Sequence, residues 1–318
     1  MMNITRKMVA AAALAAALPA AHACSSCGCT LSSDWASQGL SAATGLSIDL
    51  RHDYFNQDDL RSGTHRVDRS RITFPADQEI QRNTANHATT LTLDYGISAD
   101  WAVALQVPYL LRTHGTVAEG DTELSTSRSS SLGDVRLLAR YQGLSADRNW
   151  GLQLGIKLPT GRTDVNFSTG PQAGEALDRG LQPGTGSTDL LLGAYRHGSL
   201  AHNIDYFGQA LLQLPLNSKD HFKPGAGLNL SAGVRYVGGG PIVPQLQINV
   251  RSERREAGAN ADVDNAGSTL AYISPGLTAT LSDQLKAYAF VQLPIYQRVN
   301  GLQIEPRRSV SLGLHYAY

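Results

Sequence analysis

Apolar residues alternate with polar or small residues from Leu46 to the C-terminus, and this period of two limits the possible folds more than any other feature. In residues 101–109, for example, every second position is apolar, beginning with Trp101 and Val103. The alternating runs are about ten residues long, the length of a tilted membrane-spanning strand. No run between them keeps the helical period of about 3.6 residues. The sequence therefore predicts an all-β, antiparallel fold without helical crossovers.

The alternating runs also predict a topology, because their number is even and their connections alternate in length. Short turns such as 98–99 and 282–284 alternate with long polar loops such as 57–85 and 162–186. This is the organisation of an outer-membrane barrel. Residues 45–318 are therefore predicted to form an up-and-down transmembrane β-barrel of about 12 strands, with short periplasmic turns, long extracellular loops and both termini in the periplasm. The predicted strands are 45–56, 86–97, 100–112, 131–143, 149–161, 187–197, 203–216, 226–237, 243–254, 268–281, 285–297 and 308–318.

One face of these strands collects charged side chains, and the opposite face is aliphatic with Tyr and Trp near the strand ends. An Arg or Lys that faces lipid at mid-membrane costs about 2–4 kcal/mol, so the charged face must line the lumen. Aromatic rings at strand ends fit the girdles of membrane barrels. The alternative, a soluble β-sandwich, would have shorter strands and a polar outer face. The residues assigned to the lumen are Asp49, Arg51, Asp53, Asp94, Asp134, Arg136, Arg140, Lys157, Arg235, Arg251 and Lys286.

The composition agrees with a wall that is surrounded by lipid. Only 17% of the 318 residues are charged and 31 are glycines, whereas ordinary soluble domains have about 25% charged residues and about 7% glycine. The 27 basic and 27 acidic residues balance. A neutral chain lacks the electrostatic footprint of most nucleic-acid binders, so nucleic acid is not expected as a partner. Membrane lipid is the expected partner, because the outer face is apolar.

The first residues have the pattern of an export signal. A basic pair at 6–7 precedes the apolar stretch 8–18, and a small-x-small cleavage site ends at Ala23. Residues 1–23 are therefore predicted to be a signal peptide, and residues 24–44 a periplasmic tail that precedes the barrel.

The tail contains all three cysteines, Cys24, Cys27 and Cys29. Three interpretations stay open. Two of the thiols form a disulfide or redox pair, or all three bind a soft ion such as Cu(I) or Zn²⁺ with a fourth ligand unaccounted for, or Cys24 is acylated although Ala21 does not fit a lipobox.

A polar residue, an apolar residue and a proline recur near the outer ends of four predicted strands. Proline removes a ladder donor and is confined to edges and bulges, so one interpretation is strand termination below a loop. The other is a constriction formed by the four polar residues, which are Gln106, Lys157, Gln213 and Gln292. The mixed charges of the loop 57–85 would permit it to fold inward and to narrow the pore further.

Three neighbouring motifs resemble a known family. They are Gly133-Asp134 at the start of one strand, Gly-Ile-Lys-Leu-Pro-Thr-Gly at 155–161, and Pro-Gly-Thr-Gly-Ser-Thr-Asp at 183–189. They resemble the outer-membrane barrels named after meta-pathway operons for phenol degradation, most specifically over 130–195. This resemblance implies a passive transporter of small solutes, including aromatic or other hydrophobic compounds, and it implies no defined site.

The last residues, from Val310 to Tyr318, alternate to a terminal aromatic ring. They resemble the C-terminal signal by which the outer-membrane assembly machinery recognises barrels, in which the usual last residue is Phe.

The sequence thus predicts an outer-membrane channel that passes small solutes by passive diffusion and that uses no cofactor. One alternative is a plugged structural or assembly barrel whose cysteine tail binds a metal or a periplasmic partner. Another is an outer-membrane hydrolase, since His315 lies near Ser311 on the lumen face. No Gly-x-Ser-x-Gly nucleophile elbow occurs in the sequence, so the chain is not expected to be an enzyme.

Overall fold

The computed structural model describes residues 35, 38–40 and 44–318. The predicted signal peptide, 1–23, and the three cysteines lie outside these residues, as does most of the predicted tail, 24–44. Among the described residues, no helix is long and apolar enough to cross a membrane.

The described residues form thirteen β-strands and two short 3₁₀ turns, Arg69–Arg71 and Arg179–Leu181. All strand pairs are antiparallel. The strands are β1 (Gly45–Gly63), β2 (His65–Arg66), β3 (Ile80–Gly96), β4 (Trp101–Val117), β5 (Ser125–Leu132), β6 (Val135–Tyr141), β7 (Trp150–Leu158), β8 (Asp189–Ala201), β9 (Ile204–Pro215), β10 (Gly227–Tyr236), β11 (Ile242–Glu253), β12 (Ser268–Thr280) and β13 (Leu285–Ala317).

Eleven of these strands form a closed ring, while β2 and β5 pair only with β1 and β4. The ring closes because the 33-residue strand β13 pairs with β12 through its first half and with β1 through its second half. It turns back near Gly301, whose φ of 59° is left-handed. A ring in which every neighbour is antiparallel needs an even number of crossings. The two halves of β13, called its arms, each cross the wall, so the ring has twelve crossings. The predicted all-β barrel of about 12 strands is therefore confirmed.

Most connections are longer at one end of the barrel than at the other. The end that holds Gly45 and Ala317 has short connections and is called the turn end; the opposite end is called the loop end. The turn-end connections are 97–100, 142–149, 202–203, 237–241 and 281–284, and the loop-end connections are 64–79, 118–124, 159–188, 216–226 and 254–267. The predicted strands 285–297 and 308–318 are not separated by a long loop, because both belong to β13 and only the turn near Gly301 lies between them.

The alternation places one side chain outward and the next inward, as β7 illustrates. Leu152 and Leu154 are 48% and 57% exposed on the outer face, whereas Gln153 is 4% exposed on the inner face. Aromatic residues such as Trp101 and Trp150 stand on the outer face near the strand ends. An apolar outer band bounded by aromatic rings is typical of transmembrane barrels.

Several of the strand glycines lie under an aromatic ring of a neighbouring strand on the inner face. A side chain at Gly151 would occupy the space of the Tyr195 ring, and a side chain at Gly313 would meet Tyr288 in the same way. Gly233 with Phe207 and Gly276 with Phe290 repeat the arrangement. The high glycine content therefore serves the crowded interior as well as the turns.

We expect Leu154→Arg to lower the free energy of unfolding by about 2–4 kcal/mol, because it places a charge on the lipid-facing side in the middle of β7. The matched variant Leu200→Arg lies on the same wall at the turn end, where the expected cost is only about 0–1 kcal/mol. Urea unfolding in lipid vesicles measures both. Equal costs would show that the middle of β7 does not face hydrocarbon.

Candidate functional site: the lumen

A cavity of about 340 Å³ lies inside the barrel between the turn end and the loop end. Nine of the fourteen predicted lumen and constriction residues line it: Asp49, Arg51, Asp53, Gln106, Asp134, Arg136, Lys157, Gln213 and Arg251. Apolar side chains such as Phe55 and Leu138 complete the lining. A wider concavity of about 600 Å³ on the outer wall is lined by aliphatic residues and Tyr95 and contains none of these charges. The interior cavity is therefore the candidate site.

A row of polar side chains crosses the wall of this cavity and is called the lumen belt. Gln106, Arg136, Lys157 and Asp189 stand opposite one another in successive ladders of β4, β6, β7 and β8. Gln213 on β9 joins them, since it accepts a hydrogen bond from Arg136 at 3.5 Å and donates one to Asp189. Three of the four predicted constriction residues thus meet on one side of the lumen.

Lys157 is the most enclosed cation of the lumen belt. Its ammonium group lies 2.9 Å from Asp134 and 3.1 Å from Asp189, and all three side chains are at most 8% exposed. Asp134 also accepts hydrogen bonds from the backbone N–H groups of Gly161 and Thr185, both at 3.0 Å. These bonds hold the loop 159–188 against the wall.

A β-bulge turns Asp134 toward Lys157. Three residues, 133–135, lie opposite the two residues 107–108 of β4, between the ladders that pair β4 with β5 and with β6. Pro108 has no N–H for the ladder, and its carbonyl oxygen accepts a bond from the Gly133 N–H at 2.8 Å. Strand β4 continues past Pro108 to Val117, so the interpretation of strand termination below a loop is wrong at this proline.

The loop 159–188 covers the loop end of the cavity. Arg112 on β4 donates to the backbone oxygen of Leu181 and to Asn86 Oδ1, both at 2.6 Å. Leu181 packs with Val165 and Leu177 in a buried apolar cluster within the loop.

The expectation that the loop 57–85 narrows the pore is wrong. Strand β1 continues to Gly63 and β3 begins at Ile80, so only 64–79 remains a connection. This remainder packs against an apolar cluster at the rim that includes Leu60 and Ile304. No described residue of 64–79 lines the cavity, whereas Thr185 of the loop 159–188 does.

The turn end is narrowed by the segment before β1. The described residues of this segment, Trp35 and 38–40, are called the Trp35 turn, because the Leu40 N–H donates to the Trp35 oxygen at 2.8 Å. Trp35 Nε1 donates to Asp49 Oδ2 at 3.0 Å, and Arg235 donates to the Gln38 oxygen at 2.8 Å. The turn therefore bonds to lumen-facing side chains on opposite sides of the barrel, on β1 and on β10.

A narrow passage remains beside Trp35, with a volume of about 40 Å³. It is lined by the ion pair of Asp94 and Arg140, whose closest atoms are 2.7 Å apart, and by Asp49 and Gln106, which also line the larger cavity. A water molecule has about 30 Å³ of liquid volume, so this passage holds about one water.

The remaining predicted lumen residues lie away from the cavity. Arg235 pairs with Asp205 at 3.2 Å, and the Lys286 ammonium lies 5.7 Å from the centre of the Trp35 ring. Gln292 is fully buried on β13 and does not line the cavity.

The pair that suggested a hydrolase, Ser311 and His315, is divided between two other contacts. Ser311 donates to Asp53, while the His315 ring stacks on Trp35 at a centroid distance of 4.3 Å. Among the described residues, no group of three or more His, Cys, Asp or Glu side chains is arranged to hold a metal ion; Cys24, Cys27 and Cys29 lie outside these residues.

Asp178 belongs to the loop 159–188 and lies within the electrostatic reach of three other carboxylates. Burial is the main reason that the pKa of Asp178 lies well above its usual range, and the charges of Glu79, Asp262 and Glu256 raise it further. The folded protein therefore favours the protonated form of Asp178.

Sequence reasoning missed three residues of the site: Asp189, Arg112 and Trp35. Asp189 directly precedes three leucines, which hide the alternation. Arg112 is the last residue of the predicted strand 100–112, whereas β4 continues to Val117. Trp35 precedes the alternating region, so no periodicity pointed to its position in the lumen.

Neither a protein-family model nor a curated protein matches the chain. Among solved structures, it is similar to the COG4313 outer membrane channel from Pseudomonas putida F1, with 13% identity, a TM-score of 0.60, and 87% of this chain and 97% of that chain covered. It is also similar to the β domain of the Bordetella autotransporter BrkA, with 13% identity, a TM-score of 0.49 and coverages of 86% and 100%. A third similar structure is that of the toluene transporter TbuX from Ralstonia pickettii, with 8% identity, a TM-score of 0.45 and coverages of 88% and 91%. The first similarity shows the fold, that of an outer-membrane barrel.

We expect Lys157→Met to lower the free energy of unfolding by about 3–5 kcal/mol, because it leaves two buried carboxylates without their shared cation. Arg162→Gln is the matched control, since Arg162 pairs with Asp164 at the surface, and we expect no measurable loss from it. Urea unfolding in vesicles tests both. A small effect of Lys157→Met would show that the cluster contributes little to stability.

We expect Asp178→Asn to stabilise the barrel at neutral pH and to have no effect at acid pH. The unfolded chain ionises Asp178 at its ordinary pKa, 3.8, whereas the folded chain favours the protonated form. The wild type therefore loses stability as the pH rises above that value, and Asn removes this contribution. Unfolding curves at several pH values measure the difference; a constant difference would contradict this linkage.

Proposed function

We propose that the chain is an outer-membrane channel that passes small solutes by passive diffusion, and that it belongs to the barrel family that its motifs resemble. The observation that carries the proposal is the cavity, which is lined by charged and amide side chains inside a closed barrel with an apolar outer wall. A lipid-facing wall keeps the protein in the membrane, while a polar interior gives solutes a hydrated path.

The orientation follows from the same rule. In outer-membrane barrels the short turns are periplasmic and the long loops are extracellular. The turn end, with both Gly45 and Ala317, is therefore assigned to the periplasm, and residues 310–318 are proposed to present the assembly signal there. The loop 159–188 then covers the extracellular mouth, and the Trp35 turn narrows the periplasmic one.

Small solutes, including aromatic or other hydrophobic ones, suit this lumen better than large ones. The cavity volume of about 340 Å³ holds a small organic molecule, and the narrow passage beside Trp35 holds about one water. Outward movement of the Trp35 turn would widen the path. We propose no enzymatic activity, since Ser311 and His315 serve separate contacts.

The second candidate, a plugged structural barrel, is favoured by one observation. The Trp35 turn bonds to Asp49 at 3.0 Å and to Arg235 at 2.8 Å, so the turn end is narrowed to the passage beside Trp35 in this conformation. A plug that never leaves would make the barrel a scaffold, and the cysteine tail before it would be its functional part.

Single-channel recording in planar bilayers separates the two candidates. We expect the wild type to show conductance steps and Trp35→Ala to show larger ones, because Trp35 narrows the periplasmic end. Trp150→Ala removes the same side chain from the outer wall and should leave the steps unchanged. If neither the wild type nor Trp35→Ala conducts, although both are folded, the channel proposal is wrong.

A further inference from the structure

The indole ring of Trp35 lies in a cradle that is formed by side chains of the barrel wall. The His315 ring stacks on it at 4.3 Å with an interplanar angle of 17°, and the Tyr288 ring meets it edge-on at 5.5 Å. The Lys286 ammonium lies 5.7 Å from its centre, within the range of a cation–π contact. Stacked and edge-on aromatic pairs and a cation near the ring are general ways of binding a planar aromatic molecule.

The cradle also contains one directional polar contact. Asp49 Oδ2 accepts the Trp35 Nε1–H at 3.0 Å, and the Tyr288 hydroxyl donates to the other oxygen, Oδ1, at 2.9 Å. Tyr288 therefore fixes the carboxylate so that its second oxygen points at the ring edge. A ring without an N–H or O–H at that edge would leave a buried carboxylate oxygen without its donor.

The cradle lies on the path of a solute. The narrow passage beside Trp35 is lined by Trp35 itself, Asp49 and His315, and it shares Asp49, Gln106 and Leu138 with the larger cavity. A molecule that moves from the cavity toward the turn end therefore passes Asp49 and then meets Trp35.

We propose that Trp35 occupies a binding site for small planar aromatic solutes that carry an N–H or O–H donor, and that such a solute opens the turn end by taking the place of the indole. This inference rests on the proposed channel function, whose solute class it specifies. His315 and Tyr288 recognise the ring, Asp49 recognises the donor, and the Trp35 turn is the competitor that the solute displaces.

Indole is the natural probe, because it is the ring that the site already holds. We expect isothermal titration of the detergent-solubilised full-length protein to show that indole binds Trp35→Ala at least about tenfold more tightly than the wild type, since the internal competitor is gone. On Trp35→Ala, 1-methylindole should bind about tenfold more weakly than indole, because it cannot donate to Asp49.

Variants of the cradle provide the control. In the Trp35→Ala background, His315→Ala should weaken indole binding, whereas His197→Ala should not, because His197 contacts Gly39 of the turn and not the ring. Equal affinities of indole and 1-methylindole, or equal effects of the two histidine variants, would overturn the inference.

Wild-type conductance supplies a test that does not depend on the folding of Trp35→Ala. Indole should raise the conductance of the wild type, and 1-methylindole should raise it less. Conductance that indole leaves unchanged would contradict displacement and leave the channel proposal intact. Indole binding without any conductance would have the opposite meaning: the cradle would bind its solute in a barrel that is not a channel.

Discussion

Closure of the sheet is the constraint on which the rest of the structure depends. In hydrocarbon no water replaces a missing partner, so every backbone N–H and C=O of the wall must bond within the protein. An open sheet would leave two edges unsatisfied. Here the second arm of β13 pairs with β1 over the whole wall, from Ser47 with Ala317 to Ser62 with Leu302. The tight turn at Gly301 makes this possible, because it gives the final strand two arms and the ring an even number of crossings.

Closure in turn determines what the interior must hold. Every second side chain points into a narrow space, and the charged ones can face only that space. Burial of charges is costly unless they are paired, and three lumen cations are held by carboxylates: Lys157 by Asp134 and Asp189, Arg140 by Asp94, and Arg51 by Asp53. These pairs consume part of the interior. The room that remains, a cavity closed above by the loop 159–188 and below by the Trp35 turn, is small for the same reason.

The sequence predicted the wall well, because a period of two is a local property that strand geometry converts directly into inside and outside. The same local rule assigned eleven charged side chains to the lumen, and seven of them line the cavity. It did not predict which of them meet, since partners such as Asp189 and Lys157 come together through ladder register. The prediction of the covering loop was wrong. The charge-rich segment 57–85 was expected to fold inward, whereas the loop that reaches the lumen, 159–188, is held through its backbone by Arg112 and Asp134. Composition does not reveal such backbone contacts. The position of Trp35 depends on contacts with β1 and β13 that are far away in sequence.

The motifs that resemble a known family converge on one place, and this place has a structural role. Gly133 and Asp134 form the bulge, Lys157 is the buried cation, Gly161 and Thr185 bond to Asp134, and Asp189 completes the cluster. Together they attach the loop 159–188 to the wall. Residues with this role preserve a barrel with a covered mouth, whatever solute passes through it. The residues that contact the ring of Trp35, namely Asp49, Lys286, Tyr288 and His315, lie outside these motifs. On the proposed channel function, the motifs therefore concern the wall and its covering loop, and the proposed selection of the solute takes place at the cradle around Trp35.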